Sequence, residues 1–343
     1  MRILVLRFSA LGDVALTVPV LQKLKEQYPE VEVTLVSRPF MKALFQPLPL
    51  HFHAADVDKD YRGTAGLWKL FRQLKRQYRP DVVVDLHYVL RTRILSTFFK
   101  AAGVKVFHVN KGRAAKKRLT RAEDKIRTPL PHTTQRYAEA FGLAGFHLPF
   151  EPSENPRINY RSDTDLSAFI PQKDKVVIGV APFAQHKGKM WPIPKMKSLL
   201  QELGEKGYRV LLFGGPDERE QLEELRQSEF IQNTAGTLKL GDELALMKHL
   251  KLMIAMDSSN MHMATLTGVP VVSIWGAAHS HAGFGPLGDN IRLKAEIPLE
   301  TLTCRPCSIY GNKPCLRKDY ACLNWLEVKQ VLQKVEDALS GQY

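Results

Sequence analysis

The stretch Leu252-Met253-Ile254-Ala255-Met256-Asp257-Ser258-Ser259-Asn260-Met261-His262-Met263-Ala264, followed by Gly268-Val269-Pro270 and then Val271-Val272-Ser273-Ile274-Trp275, decides the fold. Two apolar runs of strand length flank a polar stretch, with room between them for one helix. Asp257, Ser258, Ser259 and Asn260 are all cap-forming residues, so free backbone N–H groups are expected at the strand end. Such a helix start is an anion site. His262 by itself reads more simply as a packing histidine.

The same alternation extends outward in both directions. Lys175–Val180 and Tyr208–Phe213 read as further strands, with helical patterns at 195–206, 218–227 and 242–250. Toward the start of the chain, residues 3–6, 31–36, 82–86 and 104–109 read as strands, and 15–27 and 67–77 as helices. Strands alternating with helices predict parallel α/β sheets. The 343 residues suggest two domains at about 150 residues each. The polar stretch 151–174, punctuated by Pro152, Pro156 and Pro171, predicts the seam, giving domains 1–160 and 161–343, with the last helix able to pack back on the first. The beginning of the chain reads as a strand, without the apolar stretch of a signal peptide, and no apolar run approaches the roughly 18 residues of a spanning helix. A cytoplasmic protein is expected.

Neither G-x-G-x-x-G nor G-x-x-x-x-G-K-[ST] follows any strand, which removes the main support for a dinucleotide oxidoreductase or a P-loop NTPase. Other strand ends carry chemistry instead, and open α/β sheets bind ligands beyond the carboxyl ends of their strands. After the first strand comes Arg7-Phe8-Ser9-Ala10-Leu11-Gly12-Asp13. Gly12 allows close backbone approach, and Asp13 is either a helix cap or a base. Ala181 to Pro192 contains Gln185, Lys187 and Lys189 around Gly188, a composition suited to a diphosphate. Gly214-Gly215-Pro216-Asp217-Glu218 offers an acidic side chain for ribose hydroxyls or for helix capping.

Arg7-x-Ser9-x-x-Gly12-Asp13, Lys189-x-Trp191-Pro192 and Asp257-Ser258-x-x-x-His262-x-Ala264 occur in order along nearly the whole chain. Together they resemble glycosyltransferase family 9, the ADP-heptose:lipopolysaccharide heptosyltransferases. The resemblance implies a GT-B fold of two Rossmann-like domains facing each other across a cleft, with the acceptor on the first and a nucleotide sugar on the second. It implies an inverting transfer that needs no metal or other cofactor, with ADP-heptose as donor substrate. Asp13 falls on the family's general base and Lys189 on its diphosphate lysine. Gln185 and Lys187 fall in the same donor loop, Glu218 on the ribose-holding acid, and Leu238 on the adenine contact. Asp257, Ser258, Ser259 and His262 fall around the sugar and phosphates, and Ser9 and Gly12 near the acceptor. The chain departs from the family at Ala10, where a second serine is usual, at Ser259, where glycine is usual, and at Ala184 and Gln185, where a hydroxyl pair is usual. These departures lie around the donor.

The net charge of +14 belongs to the first 150 residues, which hold 26 Lys and Arg against 12 Asp and Glu. The remainder holds 23 of each. Such asymmetry implies an anionic partner or a solvated basic face. Arg91, Arg93, Lys111, Arg113 and residues 116–118 are candidates for contact with an anionic lipopolysaccharide core or, peripherally, with the anionic inner face of the cytoplasmic membrane. His132 and Arg136, four residues apart, match a basic pair near the family's acceptor. Asp56-Val57-Asp58-Lys59-Asp60 mimics a metal-binding acidic run and is read as a surface turn. Cys304, Cys307, Cys315 and Cys322 are spaced for a structural zinc, for disulfides or for buried thiols. A GT-B transferase of another donor is the alternative within enzymes. A nucleic-acid-binding protein lacks any aromatic-interleaved basic motif, so no nucleic acid is expected. A catalytically dead homologue is opposed by the presence of Asp13, Lys189 and His262.

Overall fold

The computed structural model describes residues 1–170 and 175–343, which form two compact units. The first comprises 1–111 and 133–152. Its strands are β1 (Arg2–Leu6), β2 (Glu32–Ser37), β3 (His51–Ala54), β4 (Val82–Asp85) and β5 (Lys105–His108), and its helices α1 (Leu11–Ala15), α2 (Val18–Gln27), α3 (Gly63–Tyr78), α4 (Leu90–Ala101) and α6 (Thr133–Leu143). The sheet is parallel throughout in the order β3-β2-β1-β4-β5, with Leu6 beside Val36 on one side and Asp85 on the other. β1 and β4 are buried almost from end to end, which is why they read as unbroken apolar runs rather than alternating ones. Leu4, Leu6 and Val83 meet Leu70, Phe71, Leu74, Leu95 and Phe99 of α3 and α4 in one core.

The second unit comprises 112–132 and 153–343. Its helices are α5 (Arg113–Leu119), α7 (Ile193–Glu205), α8 (Arg219–Glu223), α9 (Leu240–Met247), α10 (Ser259–Leu266), α11 (Ala321–Asn324) and α12 (Val328–Ser340). Its strands are β6 (Val177–Ala181), β7 (Arg209–Leu212), β8 (Ile231–Asn233), β9 (Leu252–Met256), β10 (Val271–Trp275) and β11 (Lys294–Glu296), parallel in the order β11-β10-β9-β6-β7-β8. In each sheet the direction of strand addition reverses once, between β1 and β4 and between β6 and β9. Those reversals leave a crevice at the strand carboxyl ends.

Four expectations need adjustment. The helix expected over 15–27 is broken, because Pro19 has no N–H to donate and is accommodated only in the first turn of a new helix, α2. The division between units falls at Pro152/Ser153, not at 160; the expected seam residues Pro171 and Asp174 lie outside the described residues. The last helix, α12, packs on α7, β9, β10 and β11 of its own unit. The largest difference concerns the most basic segment, 112–132, which belongs to the second unit. Lys125 Nζ donates to the carbonyls of Cys304 and Pro306, both at 2.8 Å, and Arg127 to that of Thr303 at 2.9 Å. Leu130 N–H donates to the His281 carbonyl at 2.9 Å. Counted by unit, the chain holds nineteen basic and eleven acidic residues in the first and thirty and twenty-four in the second. The excess that follows chain order is thus shared nearly evenly between the folded units.

Candidate functional site

In the first unit the β1–β4 reversal gathers Arg7, Ser9, Asp13 and His87. Arg7 leaves the end of β1 with its guanidinium buried; it donates to the Leu86 carbonyl at 2.6 Å and pairs with Asp13 Oδ2 at 2.7 Å. Its plane also approaches the Tyr137 ring, whose hydroxyl donates to the Asp13 carbonyl. The cap position of α1 is Ala10. Asp13 therefore serves as the ion-pair partner of Arg7, and the capping explanation fails. Its side chain keeps 27% of its exposure while that of Arg7 keeps 6%. Ser9 Oγ lies 3.3 Å from His87 Nε2. Burial, then the charges of Arg7, Lys111, Arg91 and Arg38, lower the His87 pKa to about 3, so this imidazole is neutral at neutral pH. Asp85, buried at the end of β4, accepts the N–H groups of His87 at 2.9 Å and Tyr88 at 2.7 Å and so shapes the turn that presents His87.

In the second unit the β6–β9 reversal brings Lys189 Nζ to 2.8 Å from Asp257 Oδ2, with side-chain exposures of 15% and 6%. Lys189 ends the tight turn Lys187–Lys189. That turn is held by close backbone packing: the Gly188 carbonyl accepts from Ala277 N–H at 2.8 Å. A Cβ on Gly276 would lie 2.6 Å from the Gly188 oxygen, and one on Gly188 would lie 2.7 Å from the Gly311 oxygen. Arg305, fully buried, fixes the neighbouring backbone through the Gly276 carbonyl at 2.7 Å and the Ile297 carbonyl. Glu296 balances it at 2.9 Å and also receives Lys294 and His279. Burial alone would raise the Glu296 carboxyl; the His279 hydrogen bond and the charges of Lys294, His279 and Arg305 outweigh it and hold the group far below the usual range.

At the start of α10, Ser258 Oγ and His262 Nδ1 are buried polar atoms without a hydrogen-bond partner among the described residues. They are four residues apart and so share one helix face. Buried polar atoms are nearly always satisfied, so this pair marks a face built for something polar. Burial, then the charges of His132 and Lys189, lower the His262 pKa to about 3. Ser259 opens the same helix.

The remaining expected residues are distributed as follows. Gln185 and Lys187 are exposed in the loop after β6, Lys187 facing the Tyr320 ring. Glu218 Oε2 accepts the Gly215 N–H at 2.8 Å after β7. Leu238 is half-buried in the turn after β8. Gly236 of that turn packs near Pro216, which brings the ends of β7 and β8 together. Gly12 lies within α1 of the first unit. Arg91 is tied to Asp58 at 2.8 Å, and the hydrogen bond from Arg91, with the charge of Arg38, holds Asp58 below the usual carboxylate range. Arg136 is buried in α6 and donates to the Asn110 carbonyl at 3.2 Å. Arg113 and His132 belong to the second unit, not the first. His132 Nε2 lies 2.9 Å from the Gly285 oxygen, and burial lowers its pKa to about 4. The acidic run is a turn in which Asp56 accepts the N–H groups of Asp58 and Lys59, both at 3.1 Å. The four cysteines are free thiols, with burial pushing Cys322 up to about 12. Among the described residues no group of three or more His, Cys, Asp or Glu is arranged to hold a metal ion. His87 and Arg305 escaped the sequence reading. His87 had one available signal, its place just past the strand neighbouring β1.

The family model described as glycosyltransferase family 9 (heptosyltransferase) matches residues 67–311. Lipooligosaccharide heptosyltransferase 2 of Haemophilus influenzae is 24% identical, covering 80% of this chain and 83% of its own length. The lipopolysaccharide core heptosyltransferase OpsX of the same organism is 26% identical over 79% and 78%. Among solved structures, a family 9 glycosyl transferase from Veillonella parvula superposes with a TM-score of 0.77 at 20% identity, covering 99% of this chain and 97% of that one. Escherichia coli ADP-heptose LPS heptosyltransferase II does so with 0.70 at 18% identity, over 100% and 99%. The structural likeness establishes the GT-B fold, two Rossmann-like α/β units. With the family model spanning well over half of the sequence, the chain belongs to glycosyltransferase family 9 and is a glycosyltransferase.

Proposed function

We propose that the protein transfers a heptose from ADP-heptose to the inner core of lipopolysaccharide with inversion at the anomeric carbon. The observation that carries this reading is the order of groups along the second sheet. Leu238, Glu218, Lys189 and Asp257 with Ser258 and His262 follow the neighbouring strands β8, β7, β6 and β9. At about 4.8 Å between strands, that row spans roughly 14 Å, the reach of an extended nucleotide sugar. Adenine would lie by Leu238, ribose by Glu218, the diphosphate by Lys189 and the α10 N-terminus, and the sugar by Asp257 and His262.

Bond cleavage leaves the electron pair, and negative charge, on the departing diphosphate. Lys189 and the first N–H groups of α10 stabilise it, and Asp257 holds the lysine in place. On the first unit, Arg7 takes Asp13 Oδ2 and orients the carboxylate, which accepts the acceptor hydroxyl's proton as that oxygen bonds to the anomeric carbon. Ser9, Gly12, Arg91 and Arg136 are the candidate acceptor contacts of the first unit; the other two candidates, Arg113 and His132, belong to the second. No cofactor takes part. The acceptor is lipid-borne, which would make the enzyme a peripheral protein at the inner face of the cytoplasmic membrane.

Calorimetric titration of wild type and Lys189→Ala with ADP, UDP and ADP-heptose tests the donor. Selective binding of ADP and ADP-heptose, weakened by the substitution, supports the reading. Preference for UDP keeps the transferase and discards heptose, as the departures at Ala184, Gln185 and Ser259 would then explain. Absence of binding to all three overturns the donor site.

A further inference from the structure

From Tyr61 to Ala122 the chain contains only two acidic residues, Asp81 and Asp85. Neither offsets the charge of the surrounding helices. Asp81 receives the Arg2 backbone at 2.8 Å and its guanidinium at 3.2 Å, and Asp85 is buried on backbone N–H groups. α3 therefore presents Lys69, Arg72, Lys75 and Arg76 on its exposed side, and its C-cap residue Arg79 is exposed beside them, with no carboxylate partner for any of the five among the described residues. α4, packed beside it, adds Arg93 and Lys100. In the middle of this face is Trp68, 47% exposed. It does not wave free: its ring centroid is 5.0 Å from Phe71 and 5.1 Å from Phe98, and Phe71 is 5.0 Å from the buried Phe99. The indole is thus anchored in an aromatic stack that bridges the two helices.

We infer that the α3–α4 face docks on an anionic phospholipid bilayer, with Trp68 entering the headgroup region and the surrounding lysines and arginines neutralising lipid phosphates. An ammonium or guanidinium on a long apolar stem and a fixed indole between them are what an interfacial site needs. A nucleic-acid face built on the same charge would use aromatic groups in a groove to stack bases, whereas Trp68 is spent on Phe71 and Phe98 within a two-helix surface. The face uses none of the residues assigned to transfer. The inference does not rest on the donor assignment.

The test is co-sedimentation of the full chain with vesicles of phosphatidylglycerol and phosphatidylethanolamine, with phosphatidylcholine vesicles as the neutral comparison. Binding to the anionic vesicles alone, weakening as salt is added, is expected. Arg72→Gln/Arg76→Gln/Arg79→Gln should lower the partition coefficient by about a hundredfold, on the order of fivefold per charge, while ADP binding stays within twofold. Trp191 and Trp275 are buried and Trp325 is 48% exposed, so the tryptophan emission is read in Trp325→Phe: it should shift to the blue on vesicle addition and lose that shift in Trp68→Phe/Trp325→Phe. Equal binding to neutral vesicles, or a triple variant that partitions like wild type, overturns the proposal. So does duplex DNA that binds more tightly than vesicles through the same three arginines, which would make the face a nucleic-acid surface.

Discussion

The two sheets carry the same device with its polarity reversed. At the β1–β4 reversal the cation, Arg7, is the buried partner and the carboxylate, Asp13, is the one left accessible. At the β6–β9 reversal the carboxylate, Asp257, is the more buried and the ammonium of Lys189 the more accessible. In each pair the inner charge fixes the outer one, and in the proposed transfer the outer one is the group a ligand would meet. A carboxylate offered to solvent suits a hydroxyl that must lose its proton. An ammonium offered to solvent suits a phosphate that must gain negative charge. On the proposed reading, one fold used twice would yield complementary chemistry by exchanging which member of an ion pair is exposed.

Neutralising the outer carboxylate is the severest test of that contrast. Asp13→Asn should lower kcat by about 10²–10⁴, the range for loss of a general base, with ADP affinity unchanged by calorimetry; weakened ADP binding would break the division of labour. Lys189→Met should lower kcat by about 10²–10³ and weaken ADP binding as well. Because it strips a cation from a buried carboxylate, it should also destabilise the fold by about 3–5 kcal/mol, measured by urea unfolding. Lys189→Met/Asp257→Asn should recover much of that stability and none of the activity.

Stability against pH separates the buried histidines from the exposed charges. His262, His132 and His87 have folded pKa values lowered to about 3, 4 and 3, whereas the unfolded value is near 6.5. Between those limits the unfolded chain binds more protons, so stability rises with pH and is lost as pH falls from 6.5 toward 3. His262→Gln should flatten that slope in the urea midpoint. An unchanged slope would mean that His262 titrates normally. The smallest effect is expected at the ribose position: Glu218→Gln removes one charge-assisted acceptor and should weaken ADP binding by about 1–3 kcal/mol, with no loss in kcat at saturation.

The central strands were legible because they are buried on both faces, so that Leu252–Met256 and Val271–Trp275 were bounded to the residue. β3, β8 and β11 were not, because each is a short edge strand of three or four residues with polar or exposed positions, such as His51 and Ala54. Of the site, the residues at strand ends were visible because sequence position alone puts them there. The supports were hidden, since Arg305 acts on carbonyls about thirty residues away and Asp85 on backbone N–H groups, and neither contact leaves a compositional trace. The allegiance of 112–132 was hidden for the same reason, its anchors being lysine and arginine bonds to carbonyls near residue 305.

That allegiance has a consequence for how the protein is made. When the ribosome has delivered residues 112–132, the carbonyls of Thr303, Cys304 and Pro306 and the backbone of His281 and Gly285 have yet to be synthesised. The first unit can close once α6 has emerged, with this basic loop left hanging from it until nearly the entire second unit exists. For the same reason, cutting the gene at the domain boundary would yield two incomplete products. One would carry an undocked cationic loop, and the other would lack the partner of Gly285.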